Sequence, residues 1–406
     1  MPVLQPFRAL RPVADRASAV AAPPYDVVDV PEARALAAGN TDSFLHVSRP
    51  EIDLPEGSST EAVHTQGRAF LDALVERGVL VKDAVPTLTV YRQRRPDGTG
   101  EQTGVVGLAQ VTDYRLGLIA VHEHTRPDKE DDRTDHMVAL DAHDEPVILM
   151  YPARPEIDAL VEGITRRAPD LDVVGPDGVL NTLWTVSDPG EVSALGRAFE
   201  AVPRLYVADG HHRSAAAARL HEKALADAGE TDGFPVVAFP AEQLTVLPYQ
   251  RVVAGPLPDG VEGLLASLAE RFEITGSPAA PDPARHEFGL YAGGRWRLLT
   301  ARPDTIDDAD PIARLDVAVL QDRVLRPLLG IDDPRTDPRI AFIGGSRGTG
   351  ELERLVDDGT FAVAFALHPT SPAEVMAVAD GGLVMPPKST WFDPKLVSGL
   401  FVHRLR

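Results

Sequence analysis

The residues best suited to chemistry sit together in Tyr206-Val-Ala-Asp209-Gly210-His211-His212-Arg213, where a carboxylate, two imidazoles and a guanidinium share one short turn. Arg213 could grip phosphate or carboxylate oxygens in bidentate fashion, His211 and His212 could donate hydrogen bonds or move protons, and Asp209 could hold a divalent metal or orient a histidine. The flanking pattern says how such a turn would be held. Leu205 to Ala208 is a short apolar run that reads as a strand, Gly210 hinges the turn, and Ser214 to Ala226, rich in Ala, Leu and Arg, reads as a helix. Strand, glycine turn, helix leaves unpaired backbone N–H groups at a positive helix terminus, where an anion can settle. The competing explanation is a buried strand end whose Asp209 caps the helix, with the other side chains solvated.

A second reactive window runs from Val121 through His122-Glu123-His124-Thr125-Arg126 to His136. Alternation along a strand end puts His122 and His124 on one face and Glu123 on the other, so all three share one site only if the chain bends. With a later His136 or His143 the spacing is compatible with a metal, although it is not the helical His-Glu-x-x-His arrangement. Glu123 is the best-suited general base if it lies beside the phosphate-binding turn. Asp128 to Asp135 also fits the acidic start of a solvated helix.

Composition sets outer limits on these chemistries. The chain has 406 residues, 44% hydrophobic and 25% charged, as a soluble globular protein of more than one domain would. Its formal net charge of −21 repels nucleic acid and anionic membrane, so a phosphorylated small molecule is the expected partner, held by local donors or a metal ion. The absence of cysteine removes disulfides, thiolate nucleophiles and zinc-cysteine sites. The N-terminus lacks the pattern of a signal peptide and no run is long enough to span a bilayer, so the cytosol is the expected location.

The remaining elements must position the turn. Pro24-Tyr25-Asp26 is a stiff loop carrying an aromatic ring and a carboxylate, and Phe44 to Glu51 resembles a strand whose end could bring His46, Arg49 and Glu51 to a pocket. Apolar spacing predicts a helix over Glu61 to Arg77; Thr87 to Arg94 and Thr103 to Val111 pair as a hairpin around Asp97-Gly98. Between residues 146 and 240 strands alternate with helices, which indicates an α/β core. Pro248 breaks the next apolar run, leaving Arg251 to point outward from an edge strand. Gly344 to Gly350 lacks the Lys-Ser/Thr ending of a P-loop and reads as a plain turn. In the tail, prolines stiffen the approach to Lys388-Ser389-Thr390 and to Lys395, candidate anion contacts in a lysine-poor chain.

Taken together, Pro24-Tyr25-Asp26-Val, Phe44-Leu-His46-Val-Ser-Arg49-Pro50-Glu51, His122-Glu123-His124-Thr125, Asp209-Gly210-His211-His212-Arg213 and Met385-Pro-Pro-Lys388-Ser-Thr-Trp-Phe resemble the bacterial and archaeal domain-of-unknown-function family 1015. Gly210-x-x-Arg213-x-x-Ala216 also looks like the phosphate-binding box of ParB-type domains, and Asp209-Gly210-His211-His212-Arg213 is similar to the turn of free serine kinases in the wider ParB and sulfiredoxin-like superfamily. The resemblance implies a mixed α/β fold: an N-terminal α+β region of antiparallel strands (1–115), a ParB/sulfiredoxin-like core (116–242) and a C-terminal α/β region (243–406). It implies a nucleotide- or phosphometabolite-dependent phosphotransferase or nucleotide hydrolase, with ATP, ADP or CTP as ligand. In that expectation Gly210, His211, His212 and Arg213 hold phosphates, Asp209 and Glu123 bind Mg²⁺ or move protons, and Lys388 adds charge. Two alternatives stand beside it. One is a non-catalytic nucleotide switch or ParB-like partition protein; the other is a metal-dependent hydrolase using His122, His124 and His211.

Overall fold

Val147-Ile-Leu-Met-Tyr151 is an unbroken apolar run, and it forms a strand buried along its whole length near the middle of a mostly antiparallel sheet. The computed structural model describes residues 1–224, 231–257 and 259–406, which form two units, Met1–Leu244 with Pro394–Arg406, and Thr245–Asp393.

In the first unit the sheet strands, in chain order, are β1 (Leu4–Gln5), β2 (Leu88–Arg94), β3 (Glu101–Gln110), β4 (Ile119–Ala120), β5 (Val147–Tyr151), β6 (Leu171–Val174), β7 (Leu180–Val186), β8 (Leu205–Asp209) and β9 (Gly233–Pro240). They lie side by side as β4-β8-β5-β9-β3-β2-β7-β6, with β1 on β3. The expected hairpin is present as β2 and β3, which pair antiparallel from Thr89 opposite Val106 to Arg94 opposite Glu101. Apolar residues of these strands, among them Val105, Leu149, Trp184, Val207 and Val236, bury one core with helices α3 (Pro155–Thr165) and α4 (Pro189–Glu200). A second core gathers Phe44, Leu45, Val47, Leu71, Leu74 and Leu140, the last three lying on α1 (Thr60–Glu76) and α2 (Pro127–Leu140).

The mixed α/β class agrees with the sequence reading. The expected boundary at residue 115 is not one between compact units, because β3 pairs with β9 across it and the two halves share a core. Pro394–Arg406 returns to the first unit, where His403 and Arg404 pair with His143 and Ala142. Phe44 to Glu51 is not a strand. Leu45–Ser48 is an α-turn and Pro50–Asp53 a 3₁₀ turn, and burial of Phe44, Leu45, Val47 and Ser48 around a less buried His46 follows helical spacing. Val47 is β-branched, but in so short a run the demand of the core outweighs that preference.

The second unit carries its own six-stranded antiparallel sheet, built from Phe272–Ser277, Arg295–Ala301, Glu287–Ala292, Val363–Leu367, Tyr249–Val253 and Ile340–Gly344 in that spatial order. The glycine-rich Gly345–Arg347 is a 3₁₀ turn that leads directly into a helix over Gly348–Asp357. Among the described residues no helix is long and apolar enough to cross a membrane.

Candidate functional site

The helix after the central turn begins three residues earlier than its sequence suggests, at His211 rather than Ser214. Gly210 has φ of +97°, a conformation L side chains rarely adopt, and the chain enters helix α5 (His211–Ala224) immediately after it. Ser214 N donates to Gly210 O at 2.9 Å, so His211, His212 and Arg213 occupy the first helical turn rather than a loop ahead of it. Leu225 and Ala226, the expected helix end, lie outside the described residues. A register shift between Val207 and Asp209 bends the end of β8 and re-aims the carboxylate.

That carboxylate meets cations of its own chain. Asp209 accepts from Arg213 Nη2 at 2.7 Å through one oxygen and from Lys395 Nζ through the other. Burial pushes its pKa up, but Lys395 and Arg213 outweigh that and hold it well below the usual carboxylate range. Arg213, with a side chain 5% exposed, also donates to the Pro146 carbonyl and lies 3.8 Å from Glu145. Glu145 in turn accepts from Tyr25 N at 3.2 Å and Ser398 Oγ at 2.6 Å, and burial raises its pKa to about 7. Between Arg213, Glu145 and Leu396–Ser398 there is no room even for a water molecule. In this structure Arg213 Nη1 and Nη2 and both Asp209 oxygens are engaged within the chain, so the ligand-phosphate and Mg²⁺ contacts expected of them would have to displace these partners. Lys395 belongs to the same set of ion pairs.

The His122 window does reach this turn. The chain bends at His122 and Glu123, just after β4, so strict alternation no longer applies. His122 Nε2 lies 3.4 Å from His211 Nε2 with the rings at 83°, and Glu123 joins them in a group whose ligand atoms all fall within 4.8 Å of one another. Burial lowers the His122 pKa to about 4 and that of His211 well below its ordinary value, so both imidazoles are neutral at pH 7. His124 is exposed and outside the group. His212 Nε2 accepts from Arg126 N at 3.2 Å and so positions the loop. The acidic stretch after it pairs with the neighbouring helix: Arg219 bridges Glu130 at 2.6 Å and also Asp131, and Lys223 lies 3.2 Å from Asp135.

A cavity of about 370 Å³ lies elsewhere in the first unit. Its walls are Tyr25, the Arg49-Pro50-Glu51 segment, the start of α1 with Ser58, Thr60 and His64, and one face of α2 with Lys129, Asp132, Arg133 and His136. Arg49 donates to Tyr25 O at 3.1 Å and lies 3.0 Å from Glu51. Arg133 stacks 4.3 Å from the Tyr25 ring and is held along one edge by Asp132 at 2.9 Å. His64, with its Nε2 3.8 Å from the Asp132 carboxylate, is the main reason that carboxyl stays well below the usual range, with Arg133 adding to it. Of the expected pocket candidates, Tyr25 and Arg49 line this cavity. Asp26 is exposed, and His46 is occupied by Asp53 at 2.7 Å and the Asn40 carbonyl at 3.1 Å.

Sequence reasoning missed His64, Lys129, Asp132 and Arg133 as members of one site. The available signal was helical spacing: positions 129, 132, 133 and 136 place Lys, Asp, Arg and His on a single face.

The other tail and strand candidates belong to the second unit. Arg251 does not point outward; it donates to the carbonyls of Tyr249 and, at 3.0 Å, Lys388, and burial lowers its pKa to about 9. Lys388 has φ of +55° and its ammonium sits 5.1 Å from the Tyr249 ring. Ser389 is buried and donates to Pro386 O at 2.6 Å, and Thr390 follows it in the same loop.

Residues 4–318 match the model of a protein family of unknown function, DUF1015, and the chain belongs to that family. The Met385–Phe392 motif lies beyond the matched range. No curated protein matches the chain. Among solved structures it is similar to a conserved hypothetical protein from Pyrococcus furiosus (15% identity, 74% of this chain and 95% of that one, TM-score 0.36). It is also similar to a free serine kinase in complex with AMP (14%, 75% and 91%, TM-score 0.38). A third is SbnI with a C-terminal truncation from Staphylococcus aureus (15%, 73% and 87%, TM-score 0.39).

Proposed function

We propose that this DUF1015 member is an enzyme of phosphoryl chemistry, a small-molecule phosphotransferase or nucleotide hydrolase, that takes the phosphate end of its ligand into the Tyr25–Arg49–Arg133 cavity. One observation carries the reading. In a chain of net charge −21, three cationic side chains, Arg49, Lys129 and Arg133, line a single cavity of about 370 Å³ against two carboxylates, Glu51 and Asp132. That volume falls at the small end of ligand pockets, suited to a metabolite or part of a nucleotide and not to a polymer. Phosphoryl transfer asks a protein mainly for positioning and charge neutralisation, which fixed guanidinium groups provide. Asp132 engages one edge of Arg133 and Tyr25 supports its face, so the plane is set before a ligand arrives. The Tyr25 ring offers an apolar surface beside the charges, as a nucleoside or carbon skeleton requires.

The donor set near the turn does not fit Mg²⁺. Asp209 has both oxygens engaged, and the remaining group is rich in imidazole, whereas Mg²⁺ prefers oxygen ligands. No step is assigned to that ion.

A thermal-shift screen of ADP, ATP, CTP, pyrophosphate and phosphorylated sugars and amino acids tests the reading, followed by phosphate-release and phosphoryl-transfer assays on each hit. At least one ligand should stabilise the wild type and fail to stabilise Arg49→Ala. Equal stabilisation of both proteins, or none by any compound, contradicts it.

A further inference from the structure

We infer that His122, Glu123 and His211 form a site for one first-row transition-metal ion, with zinc(II) the ion whose dimensions the ligand atoms match. The site follows from topology. Strands β4 and β8 are parallel neighbours, Leu205 opposite Ile119 and Tyr206 opposite Ala120, so the segments that leave their C-terminal ends emerge side by side. One brings His122 and Glu123, the other His211, and ligands in α/β sheets commonly bind outside such strand ends.

The distances suit an ion better than a direct hydrogen bond. His122 Nε2 and His211 Nε2 are 3.4 Å apart with the rings 83° to each other. Two nitrogens each about 2.0–2.1 Å from a tetrahedral zinc stand about 3.4 Å apart, whereas N–H hydrogen bonds centre near 2.9–3.0 Å. The Glu123 ligand atom lies within 4.8 Å of both, inside the reach of a side-chain rotation. Both imidazoles are buried, at 1% and 8% exposure.

Competing ligands close by are accounted for. Asp209 is engaged by Lys395 and Arg213, His212 Nε2 accepts the Arg126 N–H, and His124 is exposed outside the group. Two imidazoles and a carboxylate make three protein ligands, which leaves a fourth position for water or a ligand oxygen, the pattern of catalytic rather than structural zinc sites. This inference stands apart from the phosphate cavity, since no residue is shared and metal content is read without any phosphorylated ligand.

The test uses full-length protein with no histidine tag. It is stripped with a chelator and titrated with Zn²⁺ and Co²⁺ against a chromophoric competitor, with metal content measured by mass spectrometry. Wild type should bind one equivalent, the Co²⁺ form should show the intense visible absorption of four-coordinate cobalt, and zinc should raise the unfolding temperature. Glu123→Gln and His211→Gln should weaken binding at least tenfold, while His124→Ala binds as wild type does. If His211→Gln fails to fold, the half-buried Glu123→Gln carries the test, with metal-free unfolding compared to metal-free wild type. Absence of stoichiometric binding by wild type, or wild-type affinity in Glu123→Gln, overturns the inference.

Discussion

Arg213 and Arg133 lie in the same unit and both act on the segment around Tyr25, yet they hold opposite positions. Arg213 is 5% exposed, paired with Asp209, near Glu145 and bonded to a carbonyl, with no space in front of it. Arg133 is 13% exposed, held along one edge by Asp132, stacked on Tyr25, and faces a cavity of about 370 Å³. The two guanidinium groups are chemically identical. Each donates two hydrogen bonds within the chain, so what separates a structural strut from a ligand-facing group is whether space remains beside the guanidinium.

Substitutions that remove a strut should cost stability, and those that open the cavity should cost affinity. The largest effect is expected from Arg213→Ala, which leaves Asp209 and Glu145 buried with lost partners; it should destabilise the first unit by about 3–5 kcal/mol in denaturant unfolding. A loss below about 1 kcal/mol would return Arg213 to the list of ligand contacts. Gly210→Ala comes next. Its Cβ would meet Arg213 Cζ and Nε at 3.1 Å in a backbone with φ of +97°, so a cost of about 1–3 kcal/mol is expected in the same measurement.

Glu145 gives the comparison a pH signature. Its carboxyl is raised to about 7 by burial, reinforced by the charges of Asp144 and Asp26 and opposed by Arg213. Between about pH 4.5 and 7 the native state therefore binds the proton that the unfolded chain releases, so this group's contribution is present at low pH and is lost as pH rises through 7. The slope is about 1.4 kcal/mol per pH unit at most. Glu145→Gln should flatten that part of the stability profile; an unchanged profile would show that the carboxyl titrates normally. Arg49→Ala, on the cavity wall and 20% exposed, should change stability by less than about 1 kcal/mol, because its ion pair with Glu51 is partly solvated.

The strut was the easier of the two to see in the sequence, and for the wrong reason. Asp209-Gly210-His211-His212-Arg213 is contiguous, so its chemistry is visible by eye, but its partners Glu145 and Lys395 come from distant positions and their occupancy depends on packing. The cavity draws on residues from Tyr25 to His136, and no short window holds it. Periodicity and turn residues were sufficient for the hairpin Leu88–Gln110, the helix Thr60–Glu76 and the α/β alternation after residue 146, because each is determined locally. They failed at Phe44–Glu51, where burial against α1 decides the conformation. They also failed at His122-Glu123, where a bend unites side chains that alternation had placed on opposite faces.

The most direct measurement is a calorimetric titration of ADP and of pyrophosphate into wild type, Arg49→Ala and Lys395→Met, the last a change at the strut that keeps the Asp209–Arg213 pair. Binding at least tenfold weaker in Arg49→Ala and within about twofold of wild type in Lys395→Met is the expected result, a tenfold loss being about 1.4 kcal/mol. The reverse order, with Lys395→Met abolishing binding and Arg49→Ala retaining it, would contradict the assignment and place the anion site at the turn.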